Sequence, residues 1–390
     1  MIMSKISFRH VLVLLGVLSV MTTSCNPSTE TESLVTIDMG ATYPKKTLVV
    51  QDFLDVEYVP LETNDEFVTQ GDVRAVGEKY IAVRNYANDG DIYLFDRHTG
   101  KALKRINRKG QGGEEYVNIT NIILDEAAGE LYVNDSGSKR IQVYDMSGQY
   151  KRSLRYAEGC SYMSMYGYDE DYLIAYDFTS YGKAGEPRDK PYYHVLISKQ
   201  DGSVVGIPIP FDKIKAPVVR SGEMSVMGPA SAITPNRGRW LLAETSTDTV
   251  YNYTRETGLK PFIVHIPTSR PERLLSIGTM TDRYYFLRSL KVEYDFTTWR
   301  GFPTTEWVYD TQDRKVYEVN VLNGDFTDES YVDLMQYPVN GEKVAAYGLL
   351  SANGLVDAYQ KGHLKEGPLK ELAAKLEVED NPVLMVMKYQ

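Results

Sequence analysis

The side chains in this sequence that could do chemistry suit recognition more than reaction. Beyond residue 24 there are four histidines, His98, His194, His265 and His363, and no two share the spacing of zinc ligands on one element. His98 reads as solvated in a turn, and His194 and His265 as core residues of apolar strands. Gly110-Gln111-Gly112-Gly113 lacks the spacing of a dinucleotide loop. The strands expected after it leave no helix to cradle a phosphate, so its glycines are read as letting the chain cross between sheets. Beside them Arg108 and Lys109, with Arg84 upstream, could hold an anionic group. Asp89-Gly90-Asp91 and Asp169-Glu170-Asp171 read as solvated turns in preference to calcium loops. No catalytic residue and no metal ligand is assigned.

Aromatic content is the positive signal. The chain has 30 Tyr against 11 Phe, with Trp240, Trp299 and Trp307 besides. Tyr and Trp join a flat apolar face to a polar tip, which suits stacking on sugar rings and equally suits packing between sheets. Those outside any repeated pattern are the better binding candidates. Tyr294, Trp299 and Arg300 fall in the irregular segment 294–303, the first choice for a contact surface. Segment 179–191, with Gly182, Gly185 and Pro187, is the second.

Strands must position these residues. Segments 131–135, 141–145 and 150–154 are short β-branched and aromatic runs, and between the last two Asp145 and Gly148 supply hairpin chemistry. The same hairpin recurs at Tyr93-Leu94-Phe95-Asp96 with Gly100, and at Val195-Leu196-Ile197 with Gly202. It returns at Val250-Tyr251 with Gly258 and at Trp307-Val308-Tyr309-Asp310 with Asp313. Turn positions 100, 148, 202, 258 and 313 lie 48, 54, 56 and 55 residues apart. A repeat of about 50 residues holding several short strands fits a four-stranded antiparallel blade of a β-propeller. A sandwich would not repeat its hairpins at one spacing, and a β-helix would repeat at a much shorter one. The expected architecture is all-β with six blades, seven being the nearest alternative.

The two ends depart from the repeat. Gly367-Pro368 followed by Leu369, Leu372, Ala373 and Leu376 predicts one short C-terminal helix capping a rim, which Asp380-Asn381-Pro382 stops. Val383-Leu384-Met385-Val386-Met387 predicts a final buried strand, joined by segment 56–61 from the chain start so that no sheet edge stays open. At the very start, Lys5 and Arg9 precede an apolar stretch, 11–20, and then small residues up to Cys25, the layout of a secretory signal too short to span a bilayer. The expected organisation is a signal over 1–24, a flexible tether over 25–40 and the propeller over 41–390. The signal holds two basic residues and no acid, leaving 41 basic against 53 acidic residues and a net charge of −12. No cluster of Lys or Arg forms a patch, which argues against nucleic acid or an anionic membrane as partner.

Thr22-Thr23-Ser24-Cys25 resembles the lipobox of bacterial lipoproteins, which implies a lipid on Cys25 and attachment to the outer membrane, on its periplasmic or its outer face. Cys160 then has no partner for an internal disulfide. Three further stretches carry a wider resemblance: Tyr58-Val59-Pro60-Leu61-Glu62-Thr63, Lys109-Gly110-Gln111-Gly112-Gly113-Glu114-Glu115-Tyr116 and Asp380-Asn381-Pro382-Val383-Leu384. Together they are similar to the six-bladed β-propeller lipoproteins of Bacteroidetes, relatives of the NHL-repeat propellers. That resemblance implies the fold and the envelope location and carries over no catalytic residue. Three functions follow as expectations. The first is a non-catalytic binding or scaffolding module for a glycan or an outer-membrane protein. The second is a metal-dependent lactonase or lyase, as among NHL-like relatives, using funnel carboxylates, calcium and Arg84 or Arg108. The third is a purely structural member of an outer-membrane complex.

Overall fold

The computed structural model describes residues 34–268 and 271–390. The expected signal, Cys25 and the tether up to residue 33 lie outside the described residues. The middle strands of each repeat are unbroken apolar runs, such as Ile81-Ala82-Val83, Leu131-Tyr132-Val133 and Leu173-Ile174-Ala175, all buried. Alternation is missing because each blade is packed between two others, so its central strands are covered on both faces. Outer strands such as Ala102–Asn107, mostly exposed, bear the charge instead.

Six blades result. Blade 1 is Asp72–Val76, Tyr80–Arg84, Asp91–Asp96 and Ala102–Asn107, each antiparallel to the next. Blade 2 is Ile119–Asp125, Glu130–Asp135, Arg140–Asp145 and Tyr150–Arg155, and blade 3 is Tyr162–Gly167, Tyr172–Asp177, His194–Ser198 and Val204–Ile207. Blade 4 is Ile233–Asn236, Arg239–Leu242, Thr249–Thr254 and Gly258–Ile266. Blade 5 is Arg273–Met280, Tyr284–Lys291, Thr304–Asp310 and Lys315–Leu322. Blade 6 pairs Val344–Leu350 with Val383–Tyr389 and then with Leu54–Pro60 from the chain start. Its innermost stretch is 336–340, held by Val339 N to Ala345 O and Tyr347 N to Tyr337 O.

The closure between first and last elements is therefore present, over the register Val383 opposite Pro60 to Tyr389 opposite Leu54. Two of the family-like stretches meet there. Asn381, 2 % exposed, donates from its amide to Glu62 O (2.8 Å) and Phe67 O (2.6 Å) and accepts from Thr69 N (2.8 Å). Its own backbone N–H donates to Thr63 Oγ1 at 2.8 Å. The repeated turns behave as expected: Asp145 Oδ1 accepts from Ser147 N at 2.8 Å, and Gly148 has φ 87°. At Gly100, φ 68°, a β carbon would lie 1.9 Å from Pro60 O, so this turn presses on the closing strand.

Two features differ from the sequence reading. The tether does not extend to residue 40, because Val35–Asp38 forms a strand parallel to the outer strand of blade 4. Val35 and Ile37 are buried while Thr36 and Asp38 face out, a two-residue period on an edge with free backbone partners. Lys45–Val49 likewise adds a parallel fifth strand to blade 5 before the chain enters blade 6. The helix expected at Pro368 is there as α2, Pro368–Ala373, but it follows a first helix, α1, Ala352–Gln360, capped by Ser351 Oγ accepting from Gly354 N. Leu355 of α1, Leu369 and Ala373 of α2, and Leu364 between them pack against Val383 on blade 6.

Asn381→Ala should cost about 3 kcal/mol of unfolding free energy, because three buried or half-buried backbone groups lose their partner at about 1 kcal/mol or more each. Urea unfolding measures it, and a loss under about 1 kcal/mol would show that strand pairing alone keeps the ring shut.

Candidate functional site

Antiparallel order fixes which connections share a face. The links from inner to second strand, and in blades 1 to 5 those from third to outer strand, lie at one end of the blades, and all are turns of two to five residues. The links from second to third strand and from outer strand to the next blade lie at the opposite end. They include 108–118, 178–193, 208–232, 292–303, 323–335 and 351–382. Every long connection thus emerges on one face, the loop face.

The six inner stretches surround the axis, where two cavities lie end to end. One of about 320 Å³ opens toward the turn face, past Val76, Leu124 and Asn340. The other, about 290 Å³, lies toward the loop face among Ser164, Ser276, Arg288 and Met335. Tyr166, Gln336 and Tyr337 line both and form the waist between them. Tyr337 stacks on Tyr347 with ring centroids 4.8 Å apart and planes 17° from parallel, and Tyr347 in turn donates to Val73 O. Burial pushes the Tyr166 phenol up to about 12. Burial, followed by the nearby Tyr86 and Asp72 groups, raises that of Tyr337.

Charges around the axis are paired. Asp72, 5 % exposed, accepts from Arg74 Nη2 at 2.6 Å and Arg84 Nε at 2.8 Å. Burial first, then repulsion from Arg74, lowers the Arg84 pKa. Arg288 Nε donates to Glu306 at 2.6 Å and its Nη2 to Asp333 at 3.1 Å. Of the residues singled out from sequence, Arg84 alone lies in these axial clusters. Arg108 and Lys109 do not point into the funnel: Arg108 Nε donates to Gly148 O at 2.9 Å and Lys109 Nζ to Asn88 O at 2.6 Å. Arg108 thus ties the crossing segment to blade 2, Lys109 and Tyr116, which donates to Gly90 O, tie it to blade 1, and Glu115 accepts from Gly112 N within the segment.

Tyr294, Trp299 and Arg300 do share one surface, a hairpin in which Tyr294–Asp295 pairs with Arg300–Gly301. Asp295 ties its turn by accepting from Thr297 N, and Tyr294 packs on Phe296 and Phe302. Trp299, at the tip, is 65 % exposed and has φ 55°, a conformation that a bulky L residue adopts only at a cost of about 1 kcal/mol or more. Phe302 lies so close to Gly228 that a β carbon there would sit 2.5 Å from its ring. The hairpin therefore leans on a second one, Val218–Ser221 with Met224–Met227, whose Met224 and Met227 are about half exposed. Segment 179–191 is pinned by Lys190 Nζ to Asp177 at 2.6 Å and buries Tyr181.

The sequence reading missed Arg74, Tyr166, Arg288, Gln336 and Tyr337. It also missed a buried pair where blades 3 and 4 meet beneath the loop face. His194 donates from Nε2 to Ala232 O, and its Nδ1 faces Glu244 Oε2 at 3.8 Å. Glu244 Oε1 accepts from Ser246 Oγ at 2.8 Å, whereas Oε2 has no hydrogen-bond partner. Burial drives His194 down to about 4 and Glu244 up to about 7. Among the described residues no three His, Cys, Asp or Glu side chains gather as metal ligands, and no helix is long and apolar enough to cross a membrane.

A family model described as a domain of unknown function, DUF4934, matches residues 34–388. No curated protein matches. Among solved structures, a Bacteroides fragilis protein described as exported has a TM-score of 0.58 at 15% identity, over 90% of this chain and 100% of its own. A DUF4221 family member from Bacteroides vulgatus gives 0.48 at 12% identity, over 87% and 100%. Virginiamycin B lyase from Staphylococcus aureus gives 0.34 at 10%, over 65% and 73%. At 15% identity the likeness to the Bacteroides fragilis protein is one of fold alone.

Glu244 keeps in the folded state a proton that the unfolded chain releases near pH 4.5. Its contribution is therefore whole below about pH 4.5 and is lost as pH rises toward 7. Glu244→Gln should leave unfolding free energy nearly unchanged at pH 4.5 and raise it at pH 8 by about 3 kcal/mol. Urea titrations at the two pH values read the difference; equal effects at both would mean that Glu244 is ionised in the fold.

Proposed function

The chain belongs to the DUF4934 family of domains of unknown function, and on that premise we propose that it is an exported, envelope-anchored, non-catalytic binding module whose partner docks on the loop face. The observation that carries this reading is the segregation of every long connection to one face while the other holds only tight turns. Binding residues gather where a rigid scaffold presents variable connections. Export is supported by the Bacteroides fragilis structure of the same fold, described as exported, and anchoring by the lipobox-like Cys25. A binding role fits the axis better than general acid–base work does. Asp72, Glu306 and Asp333 each bond a guanidinium and so are held as ion-pair partners, not as free bases.

Hydrogen exchange of the mature protein, with and without solubilised envelope material from cells that produce it, tests this. Protection is expected in 108–118, 208–232, 292–303 and 323–335. Protection confined to the turns at 97–101, 146–149 and 199–203 would reverse the binding face, and none anywhere would remove the proposal.

A further inference from the structure

The waist of the axis turns several polar side chains toward an open cavity, where no other protein group engages them. The Tyr166 and Tyr337 hydroxyls, the Gln336 amide and the Ser164 and Ser276 hydroxyls line the loop-side cavity, yet make no side-chain hydrogen bond within the described residues. Two of the five carry rings as well: Tyr337 is propped flat by Tyr347, and Tyr166, from blade 3, is braced by Trp240 with ring centroids 5.8 Å apart. A ligand that satisfies this set needs several hydroxyls that both donate and accept, and an apolar face for the rings.

Charge narrows the class. Arg74 and Arg84 both bond the Asp72 carboxylate, and Arg288 bonds both Glu306 and Asp333. These three guanidiniums are therefore already engaged by carboxylates, which disfavours an anionic ligand. The volume, about 290 Å³, sits at the lower end for small-ligand pockets and suits one ring.

We propose that this cavity is a saccharide subsite that takes one neutral sugar ring between Tyr166 and Tyr337, a proposal that rests on the loop face being the binding face. Gln336 and the two serines bond its hydroxyls, and the remaining sugar units lead out toward the connections around the mouth.

Calorimetric titration of the mature protein with cellotriose, maltotriose, xylotriose and mannotriose, and with a galacturonic acid trimer as the anionic comparison, tests it. At least one neutral trimer should bind, and the anionic one should bind more weakly. Tyr337→Phe, which keeps the stack and removes one hydroxyl, should weaken binding about fivefold to tenfold, and Gln336→Ala by a similar factor, with melting temperatures unchanged. Trp299→Ala should leave the affinity within about twofold. Loss of binding in Trp299→Ala but not in Tyr337→Phe would move the sugar to the hairpin and overturn the subsite while sparing the loop face. Tighter binding of the anionic trimer would overturn the neutral class. If no trimer binds while envelope material still protects the loop face from exchange, the saccharide subsite alone falls. Absence of protection as well would remove the binding face beneath it.

Discussion

Closure of the ring is the constraint on which the rest depends. Blade 6 is a complete sheet only because Leu54–Pro60 arrives from the far end of the sequence to pair with Val383–Tyr389. Without that strand, the buried run from Val383 to Met387 would present an open, apolar edge. The ends of the loop so closed are some 300 residues apart, but the entropic cost grows only with the logarithm of length, so one well-made sheet can hold it. Asn381 adds a lock with its own geometry, bonding the segment that carries the chain from blade 6 into blade 1. This explains physically why the Glu62-Thr63 and Asn381-Pro382 stretches go together: Pro382 also fills the space beside Gly71, where a β carbon would lie 2.5 Å away.

The closed ring also accounts for the asymmetry of the two faces. On the turn face, Gly100 sits on Pro60, Gly148 on Ile106 and Gly202 on Leu154, each turn of one blade against the outer strand of the blade before it. A longer connection there would have to break that contact. On the loop face the repeated contact is local to each blade, Asn85, Asp135 and Asp177 accepting from the backbone of the entering segment at Gln70, Asn118 and Ser161, and insertions up to the two helices α1 and α2 are accommodated beyond it. Blade docking thus excludes elaboration at one end and leaves the other for function.

This division sets what sequence could show. The period was legible because each hairpin turn is local, a few residues with Asp and Gly at fixed offsets, repeated five times. The closing strand was legible because its partner, Val383 to Met387, is so apolar that it requires cover. Val35–Asp38 and Lys45–Val49 were not, since four or five residues carry too little pattern and their partners in blades 4 and 5 lie more than 200 residues away. The axis was hidden for the same reason: Tyr166 and Tyr337 come from different blades, and no local spacing joins them. The one trace was Asp72-Val73-Arg74, two opposite charges on the same side of an inner strand. Arg84 entered the list of candidates from sequence, whereas the carbonyl partners of Arg108 and Lys109 were not legible, because a loop charge looks the same in sequence whether it meets a ligand or a backbone carbonyl.

The axis and the hairpin tips differ in what they can contribute to binding. Tyr166, Tyr337 and Gln336 stand on stretches fixed by strand pairing and by the stack on Tyr347, so a ligand meets groups already in place and pays little to order them. Trp299 hangs on a hairpin of two residue pairs in a strained backbone conformation, braced by Phe302 against Gly228. Such a tip supplies apolar area, with Met224 and Met227 beside it, but imposes few geometric demands. Selectivity should therefore arise at the axis, where misplaced hydroxyls leave polar groups unpaired, and contact area at the rim. A partner long enough to reach both would gain from each without either having to be strong alone.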